Sequence, residues 1–92
     1  MDNLKELKKH FQTMINVGPA TAQDLIDLGY RDLDELKGED PVQMYEKLSN
    51  QTGVRQDPCV IDIFMATVHN VETGENRLWW EFTPERKKRD QG

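Results

Sequence analysis

Three consecutive stretches of this chain open on proline and close on glycine: Pro19 to Gly29, Pro41 to Gly53 and Pro58 to Gly74. Proline has φ fixed near the helical value and lacks an N–H, so it suits the first turn of a helix, where that donor has no partner. Glycine ends a helix by taking the left-handed conformation at least cost. Inside the first two brackets apolar residues recur at the helical period: Ala22, Leu25 and Ile26, then Met44, Tyr45 and Leu48. In the third bracket Val60, Ile61, Ile63, Phe64, Met65, Ala66 and Val68 cover more than one face, which predicts a central helix touched from several sides. Asp40 and Asp57 precede their prolines and supply capping carboxylates.

The remaining segments complete an all-α plan. Leu4, Leu7, Phe11 and Ile15, with Asp2 suited to the N-cap, predict a first helix over about 3–14. Met14 to Ala22 then reads as a tight turn into the second helix. Asp32 with Glu35 three residues on has the pattern of a capping box on a very short helix. Leu78, Trp80 and Phe82 alternate as in extended chain, with no second strand to pair with. That predicts an extended aromatic arm across the helices, Trp80 and Phe82 inward and Trp79 outward. Thr83-Pro84-Glu85 caps a last short helix to about Arg89. The expected architecture is a compact five-helix, doubled helix-hairpin-helix (SAM-like) bundle with that arm. Residues 1–83 form the domain and 84–92 a basic tail. The expected core is Leu7, Phe11, Leu25, Ile26, Leu36, Tyr45, Leu48, Ile61, Phe64, Met65, Val68 and Trp80.

Charge divides the chain. Its net charge is −5. Residues 19–75 carry twelve acidic and four basic side chains, whereas residues 84–92 carry four basic and two acidic ones. The body repels polyanions and the tail attracts them weakly. No apolar run approaches the roughly 20 residues that span a bilayer, and the N-terminus alternates charged and apolar residues rather than forming a signal peptide. Cys59 is the only cysteine, which excludes an internal disulfide and a cysteine zinc site and agrees with a reducing compartment. A cytoplasmic protein with no membrane contact is expected.

Two functions fit these residues. In the first, the turn before the second helix presents N–H groups of Val17, Gly18, Ala20 and Thr21, with the Thr21 hydroxyl, to phosphate at a helix N-terminus. Asn16 and Gly18 flank Val17 as the residues able to turn left-handed. Trp79, free to stack, and the basic Arg86, Lys87, Lys88 and Arg89 add contacts to a nucleic acid bound weakly and without sequence preference. In the alternative, an acidic face of Asp24, Asp27, Asp32 and Asp34 docks a basic protein partner. No catalytic constellation is expected: His69 stands ten residues beyond Cys59, about 15 Å along one helix, too far for a nucleophile–base pair. No metal, cofactor or small-molecule substrate site is marked.

Over Leu7 to Phe82 the chain resembles the small bacterial pathogenicity-locus family of helix-hairpin-helix proteins, some labelled with mitomycin resistance. The resemblance rests on Gly18-Pro19, Ala22, Leu25 and Gly29, on Asp40-Pro41, Tyr45 and Leu48, on Asp57, Cys59 and Phe64, and on the Trp79-Trp80 pair. It implies a fold similar to the helix-hairpin-helix domains of DNA repair proteins, whose hairpins bind the DNA backbone without sequence preference. Asn16 stands where such hairpins usually have glycine.

Overall fold

A computed structural model describes residues 3–54 and 56–91, with side chains for 4–54 and 56–88. Among them are five α-helices: α1 Asn3–Phe11, α2 Pro19–Asp27, α3 Pro41–Thr52, α4 Cys59–Thr73 and α5 Thr83–Gln91. Two 3-10 turns, Leu33–Leu36 and Trp79–Phe82, lie between α2 and α3 and between α4 and α5. The described residues contain no strand and no helix long and apolar enough to cross a membrane.

The proline–glycine brackets become α2, α3 and α4. The Asp40 carboxylate accepts from the Val42 N–H at 2.9 Å, and Asp57 accepts from the Cys59 N–H at 2.9 Å. Gly53 and Gly74 stop their helices left-handed, with φ of 71° and 76°. The Tyr45 hydroxyl donates to the Gln56 carbonyl and holds the α3–α4 loop against α3.

Helix α4 is central, as its broad apolar surface requires: it touches α3, both 3-10 turns and α5, while α1 packs on α2. Phe11, Leu25, Leu36, Leu48 and Phe64, each from a different element, are fully buried in one cluster. Burial of such side chains contributes about 1.5–3 kcal/mol each before conformational entropy is set against it. Leu7 packs at the edge of this core, half-buried.

Four local expectations are corrected. Helix α1 stops at Phe11 rather than near 14. The Thr13 hydroxyl and the Thr13 N–H both donate to the His10 carbonyl, at 2.6 and 3.1 Å, which closes the helix end in a tighter turn. The Asp2 cap lies outside the described residues. Asp32 makes no capping bond; Glu35 instead accepts from the N–H of Arg31 at 2.8 Å, one residue earlier, because 33–36 winds as a tighter 3-10 turn. The aromatic arm is not extended beyond residue 78. Trp79–Phe82 winds, which puts residues 79 and 82 on one side. Phe82 is buried, Trp79 packs half-buried on the core, and Trp80 is turned out with 54% of its surface exposed. Trp80 therefore leaves the expected core. The fourth correction concerns the α1–α2 turn itself.

Candidate functional site

The turn between α1 and α2 reverses by successive short bonds. Met14 N–H donates to the Phe11 carbonyl at 3.2 Å and Val17 N–H to the Met14 carbonyl at 3.1 Å. Val17 is buried, and its amide is spent within the turn, so it is not an outward phosphate donor. Neither Asn16 nor Gly18 is left-handed: Gly18 is extended at φ −91°, and no described non-glycine residue has positive φ. Chained tight turns do what left-handed residues were expected to do.

Asn16 has a different task. Its side-chain amide donates to the Arg77 carbonyl at 2.7 Å and accepts from the Trp79 N–H at 2.9 Å. These two bonds reach sixty-odd residues along the chain and clamp the aromatic segment to the turn. The exposed Trp80 lies edge-on to Trp79, with ring centroids 5.6 Å apart.

That start is open. Gly18 is the N-cap and has no side chain to offer; Pro19 follows, and the first turn holds no acidic residue. Gly18, Pro19 and Ala20 are exposed and Thr21 is half-buried. The N–H groups of Ala20 and Thr21 belong to the first turn, where no carbonyl of the helix itself can reach them. The surviving members of the expected phosphate site are thus Gly18, Ala20 and Thr21.

The basic segment is α5. Arg86 does not project from it: its Nε donates to Asp62 Oδ1 at 2.7 Å, and the Thr83 hydroxyl donates to Asp62 Oδ2 at 2.7 Å. Asp62 is fully buried on α4, and a buried carboxylate demands such compensation. Lys87 and Lys88 are exposed; the Arg89 side chain lies outside the described residues. Arg77 lies with its guanidinium 5.0 Å from the Phe82 ring centre and pairs with Glu75 and Glu81 at 3.5 and 3.7 Å.

On the acidic side, Asp24 is half-buried while Asp27, Asp32 and Asp34 are exposed. Asp34 meets Lys37 at 3.7 Å and Asp27 accepts from the Gln23 amide at 2.9 Å. Burial, and then the charge of Asp27, pushes the Asp24 carboxyl above its ordinary range. Asp24, Asp27 and Asp32 make no ion pair among the described residues.

Cys59 and His69 are engaged elsewhere among the described residues. The Cys59 thiol donates to the Asp57 carboxylate, which with burial pushes it up, away from the reactive thiolate. His69 pairs with Glu75 at 3.1 Å, and no group of three or more His, Cys, Asp or Glu among the described residues could hold a metal.

An all-α bundle centred on one apolar helix, with an aromatic segment clamped to a helical turn, defines the class of protein. The chain belongs to the pathogenicity-locus family, whose model matches residues 4–88. It is similar to the mitomycin resistance protein McrB of Streptomyces lavendulae, 40% identical over 76 residues that make up 83% of this chain and 72% of that protein. No solved structure matches.

Proposed function

We propose that this protein is a non-enzymatic helix-hairpin-helix module that contacts a nucleic-acid backbone weakly and without sequence preference at the start of α2. The pairing of α1 with α2 and of α3 with α4, joined through the short turn at 33–36, supports reading the bundle as two hairpins. The observation that carries the function is the uncapped, exposed N-terminus of α2, whose preceding turn is clamped through Asn16 to the segment that carries the exposed Trp80. Backbone donors at a helix start favour a phosphate, and an outward indole offers a face on which a base stacks. Lys87 and Lys88 add charge; Arg86, committed to Asp62, adds none. Few phosphates are neutralised, so the salt dependence is shallow and the affinity low.

A fluorescence titration with labelled duplex and single-stranded DNA at low salt tests this reading. Binding in the high micromolar range, weakened by Ala20→Glu and by Trp80→Ser, supports it. Absence of binding at high micromolar protein, or binding indifferent to both substitutions, rejects it.

A second reading rests on Asp24 and Asp27, two carboxylates one turn apart without a cationic partner among the described residues, the Asp24 carboxyl being pushed up by burial and then by Asp27. A basic protein partner seated there relieves that repulsion. Capture of one stoichiometric partner, lost on Asp24→Lys with Asp27→Lys, favours this module; capture unaffected by the reversal counts against it.

A further inference from the structure

We infer that the nucleic acid this protein prefers is single-stranded, with one unpaired base lying on the Trp80 indole. This assignment rests on the backbone contact proposed for the start of α2 and adds to it the strand state of the ligand.

Trp80 is a fixed platform. Its carbonyl accepts from the Thr83 N–H. Around it the Glu81 N–H donates to the Leu78 carbonyl at 3.0 Å, and the Leu78 N–H donates to Glu81 Oε2 at 2.7 Å. Phe82 is buried at one end of the turn, and Asn16 accepts from the Trp79 N–H at the other. The backbone is thus held from both sides while the indole keeps 54% of its surface in water. Trp79 meets it with ring planes at 82°, and a contact of that shape covers at most one face of the Trp80 ring. A ring ordered in advance loses little freedom when a ligand covers it.

The charges of the same segment are largely compensated. Glu75 and Glu81 both pair with Arg77, at 3.5 and 3.7 Å. Their repulsion of a phosphate near the indole is reduced accordingly.

Base access and charge both select a single strand. In a duplex each base is already paired and stacked. Drawing one out costs about as much as stacking on an aromatic ring returns, so on a duplex the indole meets the backbone and gains little. An unpaired strand offers its base faces without that cost. The chain carries a net charge of −5. A duplex has one phosphate charge per about 1.7 Å of axis and a single strand one per about 3.4 Å, so an acidic body repels the duplex more. Lys87 and Lys88 are exposed on α5, and two such cations release too few counterions to reverse that order. Stacking reads the face of a base and not its sugar, so DNA and RNA strands qualify alike.

The test is fluorescence anisotropy at low salt with the full chain and four labelled probes of one length: oligo-dT, oligo-rU, a fully abasic strand and a duplex. Oligo-dT and oligo-rU bind about tenfold tighter than the duplex, the ordinary worth of one base stacked on an aromatic ring, and the abasic strand does not. Trp80→Leu removes the preference, and Trp80→Phe, which keeps a ring, retains part of it. Both change an exposed side chain, and a thermal melt close to that of the natural chain checks that they fold. A duplex bound as tightly as the strands, an abasic strand bound as tightly as oligo-dT, or a preference that survives Trp80→Leu overturns the single-strand assignment and leaves the backbone contact standing. Absence of binding to all four probes overturns both.

Discussion

Asn16 shows how a residue's job is set by atoms far along the chain. By its place beside Val17 and Gly18 it reads as a stand-in for glycine, chosen for tolerance of a left-handed turn. In the fold it takes no positive φ and instead bridges Arg77 and Trp79 with both ends of its amide. Local pattern reports conformational tolerance; it holds no record of a partner more than sixty residues away. Asp24 belongs to the same scale and carries a prediction. Its carboxyl is raised from the ordinary value of 3.8 by burial and by Asp27. A group raised in the folded state contributes stability below its unfolded value and loses it as pH rises through the folded one. The protein therefore gives up a little stability as pH rises above the ordinary carboxylate value of 3.8. The side chain is only half-buried, so solvent screening keeps the effect small. Asp24→Asn should be slightly more stable than the natural protein at pH 7 and equal to it near pH 3. Urea midpoints at the two pH values check this, and a gain that persists unchanged at pH 3 would point away from electrostatics.

Elements bounded by local chemistry were legible, and those bounded by tertiary contact were not. Proline at the start and glycine at the stop locate α2, α3 and α4 because capping acts within a few residues. The aromatic segment differs from its expected extended form because alternation over Leu78, Trp80 and Phe82 is too short to separate extended chain from a 3-10 turn. Clamped by Asn16, the segment winds and sends Trp80 to solvent instead of Trp79. Helix α5 illustrates the other limit: four consecutive basic residues look like a solvated run, yet Arg86 locks onto the buried Asp62. Arg86→Ala leaves that carboxylate buried without its cation, with the Thr83 hydroxyl still donating to it, and should cost about 3–5 kcal/mol in denaturant unfolding. Asp62→Leu with Arg86→Met removes both charges and should cost far less. If the single and double variants lose the same stability, the pair's charge compensation is not what holds α5.

At the scale of the whole molecule, one packed cluster organises everything around α4. Phe64 is fully buried at its centre, and Phe64→Ala should cost about 3–5 kcal/mol, most of what a domain this small has to lose. A thermal melt that stays cooperative at nearly the natural temperature would refute that placement of α4. Fold class was readable from periodicity and punctuation; the site was readable only in outline. Gly18 and Ala20 are exposed and Thr21 is half-buried, while Val17 turns inward, Trp80 replaces Trp79 on the surface and Arg86 is withdrawn. The central claim is that the open start of α2 and the exposed Trp80 indole form one nucleic-acid contact. The most direct measurement follows backbone amide and indole NMR shifts as a short DNA duplex is added at low salt. The account predicts shifts confined to Gly18, Ala20, Thr21, the Trp80 indole and Lys87–Lys88, fading as salt is raised. Silence at Gly18, Ala20 and Thr21, with or without shifts elsewhere, would contradict it.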